Sequence, residues 1–147
     1  MDDAAHRQLG VETYNRCWAL LETEDRTSEQ DFELLRTAFT SRYHWSYVAQ
    51  VPQEVMGDWM ISRAAAATGE GQLALKYARL AYDAAVASDV EDWLLASSAE
   101  GIARAYAAIG DIARRDEWLR TSAELVALIA DDEDRELIAG QLASVPV

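Results

Sequence analysis

Part of this chain is a second copy of another part. "WMISRAAAATGEGQLALKYARLAYDAA" and "EGIARAYAAIGDIARRDEWLRTSAELV" align when Gly69 is set on Gly110, 41 residues further on. Ile61 then falls on Ile102, Arg63 on Arg104, Ala64 on Ala105 and Arg79 on Arg120. Ser62/Ala103, Glu70/Asp111, Tyr77/Trp118 and Ala81/Ser122 agree in kind. A unit of that size cannot bury its own apolar face, so the repeat restricts the chain to stacked copies of one supersecondary element. The element reads as helix, glycine turn, helix, because glycine adopts the left-handed conformation that closes a helix.

The rest of the chain fits around these two hairpins. Only Pro52 and Pro146 interrupt it, and its seven glycines fall mostly at joints. Alanine is abundant, and nothing reads as a strand. A first helix from about residue 4 to 22 carries Tyr14, Cys17, Trp18 and Leu21 on one stripe. Ser28, with Asp31 three residues on, reads as the cap of a second helix whose inward face is Phe32, Leu35, Phe39 and Tyr43. A third helix begins near Pro52, since proline suits a first turn and unsettles the residue before it. "SDVED" links the two copies. "DDEDRELIAGQLASVPV" reads as acidic caps opening a seventh helix with Leu137, Ile138 and Leu142 inward. The expectation is one all-α domain of three helical hairpins, about 4–46, 52–88 and 91–130, plus a capping helix at about 133–144.

The second copy sets Ile102-Ala103, Tyr106 and Gly110-Asp111 in series. The first sets Ile61-Ser62 and Gly69-Glu70 before Ala74, Ala78 and Ala81. This pattern resembles the tetratricopeptide-repeat family over roughly Val51 to Ala130. Asp58 and Ala99 stand where that family often carries Trp, Ala65 replaces an aromatic, and the period is longer than the family's usual length of about 34 residues. The resemblance implies a right-handed stack of hairpins whose first helices line a concave ligand-binding groove.

Charge narrows the partners. With 13 Lys+Arg against 26 Asp+Glu the net charge is −13, which repels nucleic acid and anionic membrane surfaces. The start of the chain has no secretory pattern, so a cytoplasmic protein is expected. Helical phase places Met56, Trp59 and Arg63 on one face of the third helix, and Glu100 and Arg104 on the matching face of the fifth. Arg63 and Arg104 then sit at equivalent heights, able to receive a carboxylate through paired guanidinium contacts, over an apolar floor of Trp59 and Met56. Glu100 reads either as an orienting partner or as an ordinary ion pair with Arg104 four residues on.

"SRYHWSYVAQVP" crowds aromatic residues around His44 at the end of the second helix. Tyr43 reads as core, Trp45, Tyr47 and Val48 as a wedge between hairpins, and His44 as a residue at the mouth of the groove beside Trp59. His6 and His44 lie far apart with no metal-binding spacing, and "DDEDRE" lacks the ligand pattern of a calcium loop. No catalytic residue, metal or cofactor is expected. The expected function is a non-catalytic scaffold for a protein or peptide segment that bears a carboxylate. The alternatives are a self-assembling homodimer and a small-molecule sensor with a pocket near His44 and Trp59.

Overall fold

A computed structural model describes residues 1–48 and 50–147. Among these it shows seven helices and no strand: α1 (Asp3–Leu21), α2 (Ser28–Val48), α3 (Val51–Ala67), α4 (Gly71–Ala87), α5 (Asp92–Ile109), α6 (Ile112–Ala127) and α7 (Asp132–Ala143). Short acidic side chains start three of them. Asp2 accepts from the Ala5 N–H at 2.8 Å, Asp111 from that of Arg114 at 3.1 Å, and Asp131 from that of Asp134 at 2.9 Å. Each cap satisfies a donor that the first helical turn leaves open. Pro52 lies in the first turn of α3, as expected.

The start of α2 is built differently from the expected Ser28–Asp31 cap. Thr27 and Gln30 cap each other: the Gln30 N–H donates to Thr27 Oγ1 at 3.2 Å, and the Thr27 N–H to Gln30 Oε1 at 2.9 Å. This reciprocal box closes two open donors at once. Asp31 is drawn instead to Arg26, at 2.8 Å.

The two glycines of the repeat stand at one kind of bend. Gly69 has φ 83° and Gly110 φ 87°, both left-handed. After each, an N–H reaches back five residues: Glu70 to the Ala65 carbonyl at 2.9 Å, and Asp111 to that of Tyr106 at 3.1 Å. This is the glycine-closed helix end in which the last free carbonyls are satisfied.

Among the described residues, each helix touches only helices one or two places along the chain: α1 on α2, α3 on α4 and α5 on α6 as hairpins, with α1, α3, α5 and α7 in contact as a row. The hydrophobic core runs the length of this stack. Cys17, Leu34, Val55, Met60 and Ile61 fill its first half, Ala65, Ile102 and Tyr106 its middle, and Val126, Ile129 and Ile138 its end. Ala74, Ala78, Ala81 and Ala85 form one fully buried stripe of α4, and their small size lets its neighbours approach closely. Burial pushes the Cys17 thiol up to about 12, so it packs as a small inert apolar group. No described helix is long and apolar enough to cross a membrane.

Several expected core residues lie outside. α2 turns Leu34, Ala38, Ser41 and Trp45 inward, while Phe32, Phe39, Tyr43 and Tyr47 are exposed. The reason is packing distance. Ser41 and Ala38 let α2 close on α1, where Ser41 Oγ donates to the Gly10 carbonyl at 2.8 Å. Trp45 then fits over Gly10, where an added Cβ would come within 2.3 Å of the indole nitrogen. On α7, Ile138 is buried and Leu142 packs beside it, but Leu137 is exposed, because α7 meets only α5 and α6 and buries a narrow stripe.

Candidate functional site

The repeat registry becomes physical contact on the row of odd-numbered helices. Trp59 of α3 and Glu100 of α5 occupy equivalent positions, and the Trp59 indole N–H donates to Glu100 Oε2 at 3.2 Å. Glu100 is fully buried. Its other oxygen, Oε1, accepts from Arg104 Nε at 2.8 Å and lies 2.6 Å from Arg104 Nη2. Arg104 spends its remaining donors on the end of α7: Nη2 donates to the Gln141 carbonyl at 3.0 Å and to Ser144 Oγ at 2.7 Å, and Nη1 to the Ser144 carbonyl at 3.4 Å. The Glu100–Arg104 pair is therefore closed on every side. A buried ion pair needs such full hydrogen bonding to offset its desolvation.

Arg63 is the unmatched member. Its Nη1 lies 3.8 Å from Glu100 Oε1, near enough for Coulomb attraction and too far for a hydrogen bond, and that buried nitrogen has no other partner. The guanidinium carbon sits 5.8 Å from the ring centroids of both Trp18 and Trp59, within reach of their negative faces. Burial, and secondly the charge of Arg104, push its pKa down to about 10, which leaves it charged at neutral pH. Two guanidinium groups thus share one carboxylate, leaving a surplus positive charge inside the protein. Beside it is a cavity of about 140 Å³ lined by Arg63 and Arg104, four alanines (Ala66, Ala67, Ala107, Ala108) and Pro146.

The expected site divides accordingly. Arg63, Arg104, Trp59 and Glu100 come together. Trp59 is buried as part of the core, and Arg104 already holds the carboxylate of Glu100. Met56 and His44 stand elsewhere. Met56 lines an open cavity of about 480 Å³ with Arg7, Val11, Trp45, Val48, Gln50 and Gln53. His44 meets His6 and Tyr43, whereas the ring packed against Trp59 is that of Trp18. His44 packs between α1 and α2, and Trp59 among α1, α3 and α5.

Sequence reasoning passes over the part played by four residues. Trp18 belongs to the stripe expected as core, and nothing local marks it as a neighbour of Arg63. Gln141 and Ser144 act mainly through backbone carbonyls, which any residue type supplies. His6 escaped because it lies 38 residues from His44. A hairpin geometry does carry the hint: His6–His44, Gly10–Ser41 and Arg16–Glu33 are all contacts centred on the turn at Glu24–Asp25. Among the described residues no three His, Cys, Asp or Glu side chains gather as a metal-binding group.

No protein-family model matches this chain, and no curated protein or solved structure matches it either.

Proposed function

We propose that the chain is a non-catalytic binding scaffold of the tetratricopeptide-like kind, acting in the cytoplasm, whose row of odd-numbered helices receives a protein or peptide segment and draws a carboxylate of that segment to Arg63. One observation carries this reading: a partly buried guanidinium whose buried Nη1 has no hydrogen-bond partner, carrying surplus charge, next to a cavity whose other walls are mostly alanine. Placing a charge out of water without hydrogen bonds costs the fold free energy. A carboxylate entering the cavity would restore charge balance there and add charge-assisted hydrogen bonds, each contributing about 1.5–3 kcal/mol. The alanines offer no competing acceptor. On a protein of charge −13 the rest of the surface repels an anionic segment, so the same spot is locally selective.

The test pairs affinity with stability. Peptides of one sequence, with a free or an amidated C-terminus, are titrated while tryptophan fluorescence is followed, since Trp18 and Trp59 flank Arg63. The free acid binds more tightly, and Arg63→Met removes that preference. In urea the same variant is as stable as the parent or gains up to about 1 kcal/mol, because Glu100 keeps Arg104. Equal affinity of parent and variant for the free acid defeats the proposal.

A second reading, self-assembly, is favoured by the outer face. Phe32, Phe39 and Tyr43 of α2 and Leu80 of α4 are exposed, a concentration of apolar side chains of the kind that copies of a chain bury on one another. Sedimentation across a concentration series separates the two: a dimer lost on Phe39→Glu supports assembly, and a monomer at every concentration removes it.

A further inference from the structure

The chain has two histidines, and folding brings them together edge to edge. His6, in the first turns of α1, and His44, near the end of α2, have their Nδ1 atoms 3.0 Å apart. Both rings are held. Tyr47 stacks on His6 with centroids 4.3 Å apart and planes 8° from parallel, and Tyr43 meets His44 edge-on at 5.5 Å. The phenols are tied to each other by a hydrogen bond of 3.0 Å. Two turns of helix are thus arranged around one pair of imidazole nitrogens.

We propose that this pair is a binding site for a divalent first-row transition ion of the imidazole-preferring class, with Zn²⁺ and Cu²⁺ as its probes. With metal–nitrogen bonds of about 2.0–2.1 Å, two nitrogens on one ion stand roughly 2.9 Å apart at a square corner and roughly 3.4 Å apart at a tetrahedral one. The observed 3.0 Å lies inside that range. The ring centroids, 5.2 Å apart, already have the separation that two imidazoles on a tetrahedral ion adopt, roughly 5.2 Å. Binding needs each ring to turn by roughly 35° about its centre, because the two Nδ1 atoms now point almost straight at one another, and it needs no movement of the helices.

In the metal-free protein one Nδ1 carries the proton that the other accepts. In the bound form both offer lone pairs, and each ring keeps its proton on Nε2. Two protein ligands leave the remaining coordination positions to water; among the described residues no third His, Cys, Asp or Glu joins the group. The chain's charge of −13 raises the local concentration of any cation. The histidines supply selectivity, because imidazole favours these ions over Mg²⁺ and Ca²⁺, which take oxygen. None of this depends on the Arg63 cavity, which involves a different set of side chains.

Calorimetric titration of the untagged chain at pH 7.5 with Zn²⁺, Cu²⁺ and Mg²⁺ tests the site. One saturable equivalent of Zn²⁺ or Cu²⁺ is expected, with none for Mg²⁺. His6→Gln and His44→Gln should each weaken binding about tenfold or more. Histidine ring resonances of the unmutated chain give a readout independent of whether the variants fold: both sets shift or broaden as the first equivalent of Zn²⁺ is added. Unmoved resonances, or saturable binding that survives in either variant unchanged, overturns the proposal.

Discussion

α5 and α2 are of similar length and both carry aromatic and aliphatic side chains, yet they meet opposite fates. α5 is enclosed by α3, α4, α6 and α7, and every residue from Ala96 to Tyr106 is buried. α2 packs mainly against α1 and α3, touches α4 through the edge-on Phe39–Tyr77 contact, and buries Leu34, Ala38, Ser41 and Trp45. An enclosed helix has no outward face on which to place a charge, so Glu100 and Arg104 must neutralise each other within the core. An edge helix can choose between stripes, and the choice goes to the one that brings backbones closest. α2 thus leaves phenylalanine and tyrosine in water while a serine is buried.

Breaking the charge balance of α5 has the largest expected effect. Glu100→Ala leaves Arg104 and Arg63 buried without their shared anion, and urea denaturation should show a loss of about 3–5 kcal/mol. The edge helix is broken by a different residue from the one its apolar pattern suggests. Trp45→Ala opens a cavity between Gly10 and Gly57 and should cost about 3 kcal/mol. Tyr43→Ala, two positions away and exposed, should stay within about 0.5 kcal/mol. The smallest of the substantial effects sharpens the link between α5 and its partner hairpin. Gly110→Ala meets no steric obstacle but forces a side chain into the left-handed region, for about 1–2 kcal/mol. Gly69→Ala should match it, and a large difference in thermal midpoint between the two variants would show that the bends are not equivalent.

Much of this architecture could be read along the chain, and the misreadings have physical causes. Gly69 and Gly110 announced both bends because only a left-handed residue closes a helix in that way, and no distant contact is needed to require it. The same registry put Trp59, Arg63, Glu100 and Arg104 within reach of one another. α2 was misread because Phe32, Leu35, Phe39 and Tyr43 form a convincing stripe in isolation, and only the nearness of Gly10 on another helix shows why Ser41 outranks them. The cap of α2 was misplaced by one residue, since Thr27 and Ser28 are both good caps and the outcome turned on Gln30 reaching back. The unsatisfied nitrogen of Arg63 is a matter of tenths of an ångström, and no pattern of residue types encodes that. The carbonyls around Arg104 were likewise invisible, because peptide groups are common to every sequence.

Contact only between helices one or two steps apart has a kinetic consequence. Each hairpin can close across a short loop, and each later helix docks on a surface made moments before, so chain-closure entropy is met in small instalments. Assembly of this kind suits synthesis from one end, with every added helix finding its seat already formed.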